Sequence, residues 1–383
     1  MTIQKLLKDT HKRARHRGSI IIIDIIFPNG KPVIKRRQCT CIVLSQALIE
    51  NIANILFGDF NEPTMRLVFE VLAEVPSELA EAYRAYAAVT EGGRVVTWGI
   101  AAEGGYSSMV EKELKSGVVH VAATARAFAA ITDRGRVVTW GDMRAGGNSS
   151  EMAGELASGV VKVVASKYAF AALKENGRVV TWGVADFGGD SSGVARELES
   201  GVADVVAAEN AFAAIMEKKN VVTWGNSYFG GDSSTVVREL ANGVVEVVAE
   251  ASSFLALTED GRVVTWGHTG CVWDSSRVAR GVVKVVATQR EFAALKEGGH
   301  VVTSSWIAEN VKSDVVEVAA TRYSFAALKV GGRVVTWGDP TFGGDSSKVA
   351  KKLAGGVVDI VAISRFKFAA LKKNGQIVEW GGD

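Results

Sequence analysis

From about residue 76 onward the chain repeats itself, and that periodicity limits what it can fold into more than any other feature. The string VVTWG places Trp98, Trp140, Trp182, Trp224 and Trp266 at intervals of 42 residues. The series then reaches Ser304 after 38 residues, Trp337 after 33 and Trp380 after 43. Ahead of each copy lies an Ala-rich apolar stretch, as in AFAAL at 169–173 and SFAAL at 324–328. Further upstream sits GVVxVVA or a relative, as at 159–165, 243–249 and 281–287. Stepping back 42 residues from Val118–Phe128 lands on Pro76–Tyr86, so SELAEAYRAYAA reads as a worn first copy and the units number eight.

Each unit reads as three strands. GVVxVVA and RVVTWG are short, β-branched and bounded by glycine. FAAL joins VVTW through a tight turn such as Glu175-Asn176-Gly177 or Lys373-Asn374-Gly375, where glycine supplies the positive φ that a hairpin needs. Alternation along VVTW gives both faces apolar content, as a sheet packed between neighbouring sheets requires. A fourth segment, GGDSSGVAREL at 188–198 and its relatives, carries Asp/Ser where a helix would be capped and Val194 and Leu198 four apart. That spacing predicts a short surface helix or turn. The predicted fold is therefore mainly β: a β-propeller of seven or eight short three-stranded repeats over 76–383, each with a short surface helix.

These residues resemble the repeats of the regulator of chromosome condensation family, whose blades pair an apolar "AL" strand with a "dGxVyxWG" strand. The likeness covers about four fifths of the chain. It implies a β-propeller, in that family usually of seven blades with longer repeats, and functions that include nucleotide exchange on a small GTPase, chromatin binding, light sensing and ubiquitin-ligase targeting. Fold alone does not choose among them.

Two further regions precede the repeats: a basic tail over 1–18 and a small α+β domain over 19–75. In the latter, SIIIIDIIF (19–27) and residues 32–43 read as strands around the Pro28-Asn29-Gly30-Lys31 turn. A helix follows near 45–57 and a strand candidate at 65–69. This order resembles ubiquitin, without its last strand or diglycine tail, so conjugation is not implied.

Composition narrows the function. Hydrophobic residues make up 48% and charged residues 22%, which supports a sizeable core and excludes a disordered chain. The net charge is only +2, but residues 1–50 hold ten Lys/Arg against three acids. Cys39, Cys41 and Cys271 make no disulfide framework or zinc spacing. No apolar run is long enough to span a bilayer, and no apolar signal core follows the N-terminus, so an intracellular, cytoplasmic or nuclear location is expected. No phosphate loop, nucleophile elbow or His-centred triad is present. GGDSS recurs in blade after blade, as structural turns do.

The expectation is a non-enzymatic scaffold with no cofactor or metal, binding a macromolecule, in the first instance a protein. The alternatives are a guanine-nucleotide exchange factor, a contact with the ubiquitin machinery, and a chromatin or nucleic-acid binder acting through the basic tail. The candidate binding residues are Arg94, Arg136, Arg178, Arg262 and Arg333, which repetition would gather into one basic collar, and Trp273 and Trp306, which fall outside the tryptophan series. Each Arg has a plainer role open to it, pairing with an acid such as Glu91 or Glu175 at its hairpin end.

Overall fold

The computed structural model describes residues 76–268, 280–303, 311 and 313–382, together with a short antiparallel hairpin of β1 (Ile23–Ile26) and β2 (Val33–Arg36). The helix and third strand expected within 45–69, and the ubiquitin-like order, lie outside the described residues. The chain divides into two compact units, Met1–Val75 and Pro76–Asp383.

The larger unit is mainly β, built from eight three-stranded antiparallel sheets in chain order, an arrangement consistent with a β-propeller. Unit one comprises β3 (Pro76–Glu81), β4 (Ala85–Thr90) and β5 (Val95–Gly99), with β4 in the middle. The other seven units repeat it, each with the FAAL strand central. The central strand is sandwiched on both faces, so its side chains are small except where a ring fits. Phe128, Phe170, Phe212, Phe254 and Phe368 are fully buried, and each stacks on the Trp beside it at about 5 Å between ring centres.

The first strands of successive units pack beside one another from unit one to unit eight, while the Trp strands lie outermost. Every first strand carries a β-bulge at its second residue, so Val119, Val161 and Val245 stand half-exposed next to the paired ladder.

In the fourth segment the structure differs from expectation. Instead of a helix in each unit, the residues form single 3-10 turns such as Ser108–Val110, Ser192–Val194 and Ser234–Val236. One short α-helix, Ala350–Leu353, is the exception among the described residues. The physical reason is anchoring at both ends. Thr181 Oγ1 bonds Ser191 Oγ at 2.9 Å, and Val179 N–H reaches the Leu198 carbonyl at 2.9 Å. The segment winds through one turn, with Leu198 N–H on the Val194 carbonyl at 3.2 Å, and stops there because the Leu198 carbonyl is taken by Val179 and Gly201, at φ 75°, leads into the next strand. Val194 is half-buried and Leu198 buried; the two are helix neighbours within that single turn.

Candidate interaction surface

Neighbouring units are joined by three kinds of contact, and these account for most of the motif residues. At one rim, the turn glycine between the second and third strands accepts a bond from the first strand of the next unit. Val118 N–H donates to the Gly93 carbonyl, Val160 to Gly135 and Val202 to Gly177, at 2.9–3.0 Å. A side chain at Gly93 or Gly135 would stand 2.7 Å from a backbone nitrogen of the next unit, so the glycine serves the joint as well as its own turn. Unit four manages with Lys219 at φ 63°.

At the opposite rim, the turns between first and second strands form a relay. Tyr83 N–H donates to Ala125, Ala125 to Lys167, Lys167 to Glu209 and Glu209 to Ala251, at 2.8–3.0 Å. Gln289 donates to Arg322 and Arg322 to Arg365 in the same manner.

Between the rims, the indole N–H of each Trp clasps the preceding unit. Trp140 donates to the Gly104 carbonyl at 3.0 Å, and Trp182 to Gly146, Trp224 to Gly188, Trp266 to Gly230 and Trp380 to Gly343 follow suit. The acceptor is the first glycine of the GG pair, held at φ 92° in Gly146. A Cβ there would sit 2.6 Å from the Phe170 ring. The Gly-Gly turn and the Trp are therefore two halves of one joint.

The predicted collar is assembled on the first of these rims, but much of its charge is matched. Arg136 lies 4.0 Å from Glu113 and Arg178 lies 3.2 Å from Glu155, each acid belonging to the preceding unit. Arg262 Nε donates to Asp260 at 2.6 Å. The pairing acids are thus Glu113, Glu155 and Asp260 in place of Glu91 and Glu175. Asp260 is held below the usual carboxylate range by hydrogen bonds from Thr258 and then Arg262. Arg94 bonds Thr90 Oγ1 through its backbone N–H at 3.2 Å. Arg333 borders a cleft of about 450 Å³ with Thr336, Asp345, Ser346 and Leu353. Trp273 and Trp306 lie outside the described residues.

Two features go beyond the binding residues named from the sequence. The position after the bulge in the first strands of units two to eight carries, in order, His120, Lys162, Asp204, Glu246, Lys284, Glu317 and Asp359. Two opposite charges on adjacent units meet: Lys162 reaches Asp204 at 2.5 Å, and Lys284 pairs with Glu317. Burial pushes the Glu246 carboxyl up, against the opposing pull of Lys284. The periodic slot was visible in the sequence; which units would be neighbours was not.

The second feature is the relay rim. Its backbone is stitched, yet its side chains differ from unit to unit: Tyr83-Arg84, Ala125-Arg126, Lys167-Tyr168, Glu209-Asn210, Ala251-Ser252, Arg322-Tyr323 and Arg365-Phe366. Tyr83 is 72% exposed with the Arg84 guanidinium 5.5 Å from its ring. Both Arg290 and Arg322 lie over Tyr323, at 5.1 and 5.4 Å. The sequence signal was the residue pair just ahead of each FAAL strand, variable where its surroundings repeat.

Among the described residues no helix is long and apolar enough to cross a membrane. No protein-family model matches the chain, and no curated protein gives a significant match. Among solved structures the chain is similar to human WBSCR16, at 18% identity and TM-score 0.43, over 75% of this chain and 85% of that one. It is also similar to the ectodomain of the Arabidopsis thaliana receptor kinase ACR4, at 14% identity and TM-score 0.39, over 80% and 97% of the two chains. A third likeness is to Prp20p of Saccharomyces cerevisiae, described for its binding to Gsp1p and histones, at 15% identity and TM-score 0.37, over 69% and 72%.

Proposed function

We propose that the eight units form an eight-bladed β-propeller that serves as a non-enzymatic scaffold, holding a protein partner on its relay rim. The observation that carries this reading is the contrast between fixed backbone and variable side chains at that rim. Successive turns are tied by N–H to carbonyl bonds, which gives a rigid platform. On it, Tyr and Arg, the residue types that dominate binding hot spots, replace one another from unit to unit. Most of the other repeated polar residues answer to a neighbouring unit or to their own turn, as the Trp, Gly-Gly and Thr–Ser contacts do. Closure of the propeller is supported by Arg365 of unit eight, 3.8 Å from Glu81 of unit one.

The test is capture of partners from the native cell, with identification by mass spectrometry, using the full chain and two sets of variants. Tyr83→Ala with Arg84→Ala and Tyr323→Ala should lose the partner. Arg136→Gln with Arg178→Gln and Arg262→Gln should retain it. Retention by the first set and loss by the second would return the binding face to the opposite rim. A captured small GTPase whose nucleotide release the chain accelerates would replace the scaffold reading with an exchange factor.

A further inference from the structure

Two positions of the repeat hold acids on the rim where the second and third strands turn. One lies just before the buried leucine of the fourth segment, as Glu113, Glu155, Glu197 and Glu239. The other opens the turn after the second strand, as Glu91, Asp133, Glu175, Glu217, Glu259 and Glu297. Where units seven and eight meet, both positions change sign. Lys352 stands before the buried Leu353, and Lys373 opens the last turn.

The fold brings the two reversals together. Lys373 N–H donates to the Gly356 carbonyl at 2.9 Å, and the Lys372 ammonium donates to the Lys352 carbonyl at 2.7 Å. The last turn of unit eight thus lies against the end of the short helix Ala350–Leu353. The same joint occurs between units two and three, where Glu175 N–H donates to the Gly159 carbonyl and the Lys174 ammonium to that of Glu155. There the Glu155 carboxylate also lies 3.7 Å from Lys174 and 3.2 Å from Arg178. The four positions Glu155, Lys174, Glu175 and Arg178 balance; their counterparts Lys352, Lys372, Lys373 and Gln376 are three lysines with no acid. Lys351 adds a further exposed charge on the helix. Among the described residues no carboxylate pairs with any of these lysines. Like charges gathered in this way raise a local positive potential that draws an anionic partner.

The cleft of about 450 Å³ adjoins the lysines, with Ala350 and Leu353 of the same helix on one side and Arg333, Thr336 and Ser346 on the other. The one acid on its lining, Asp345, already accepts the Ser347 N–H at 2.8 Å. No aromatic ring lines it, so it offers nucleic-acid bases no platform to stack on. Hydroxyls, methyl groups and cations side by side suit a polypeptide instead.

We propose that the lysine sector at the joint of units seven and eight, with this cleft, is a docking surface for an Asp/Glu-rich segment of a partner polypeptide. It lies on the rim opposite the relay rim and is a second surface, so its test stands apart from that of the scaffold reading.

The experiment is fluorescence anisotropy of a dye-labelled octaglutamate peptide titrated with the full chain, at low salt and at about 0.15 M salt. The peptide should bind, and more weakly as salt rises. Lys352→Gln with Lys373→Gln should weaken binding about tenfold, and Lys352→Glu with Lys373→Glu, the side chain type other units carry there, should weaken it further. Both lysines are exposed, so circular dichroism melts should match the parent. Arg136→Gln with Arg178→Gln removes as many positive charges from the same rim and should bind as the parent does. No binding of octaglutamate would overturn the proposal. So would undiminished binding by the lysine variants, which would put the peptide on the basic tail, or equal loss in the arginine variant, which would reveal a general charge effect. Tighter binding of an oligothymidylate of equal charge, lost in the same lysine variants, would replace the polypeptide with a nucleic acid.

Discussion

At the scale of single residues, the Trp of each unit does two separable things: it fills the space beside a Phe ring, and it ties down a neighbour's carbonyl. Trp→Phe substitution separates them. At Trp182 the change leaves the Gly146 carbonyl without its donor; at Trp98 it removes a buried N–H that had no acceptor. The loss of bulk is common to both. Trp182→Phe should therefore cost about 1 kcal/mol more than Trp98→Phe, read as the difference between their denaturant melts; equal costs would mean that the clasp adds nothing. Glu246 supplies a second residue-scale test. Its carboxyl is raised by burial, so the folded chain holds that proton more tightly than the unfolded chain does. Its charge therefore works against folding above the ordinary carboxylate range and ceases to do so once pH falls below it. Glu246→Gln should melt at a higher temperature than the parent at pH 7. The gap should close toward pH 4, as followed by circular dichroism across that range.

The element scale is where sequence and structure agree most closely, and where their one clear disagreement is instructive. The three strands per unit and the hairpin glycines could be read directly, because period-two alternation and positive φ are local properties. Gly135 and Gly177, at φ 68° and 74°, are examples. The fourth segment misled only in extent: Val194 and Leu198 do share one helical turn, while the Thr181–Ser191 and Val179–Leu198 bonds that hold its two ends, and keep it to that turn, join residues that local spacing does not pair. For the same reason the Arg residues could be placed on one rim, but not matched to Glu113 and Glu155 across a joint. Those pairs are exposed at 36–56% and are worth little each. Changing Arg136, Arg178 and Arg262 together to Gln should lower stability by about 1 kcal/mol or less. The difference should shrink further in 1 M salt, which thermal melts at two ionic strengths will measure. Gly146→Ala should be costlier than that triple change, since its Cβ would meet the Phe170 ring at a backbone conformation that only glycine adopts readily. Comparison of the two chemical melts settles the order.

At the scale of the whole molecule, stability is a sum over joints, and the joints are unequal. Those between units one, two, three and four have the rim bond, the relay bond and the Trp clasp together. The joint into unit seven lacks the clasp, since the Trp337 indole has no acceptor. The joint from unit eight to unit one has its ion pair between Arg365 and Glu81, with side chains 53% and 30% exposed. Native-state hydrogen exchange should accordingly find the earliest-opening amides in unit one and unit eight, with units two to four opening last. Uniform protection across all eight sheets would contradict this ranking.

Pro76 gives that inequality a mechanical meaning. It stands where Val118 and Val160 donate to the preceding turn, and proline has no N–H to give. In the proposed propeller, the joint from unit eight to unit one would be the loosest fastening, like the catch of a bracelet, able to give slightly without breaking the other links. Strain would gather at that joint, so a protease should shorten the protein from its ends and leave a resistant middle. A body that yields in one known place can also be tightened there, by a bond made where Pro76 meets the Gly375 turn.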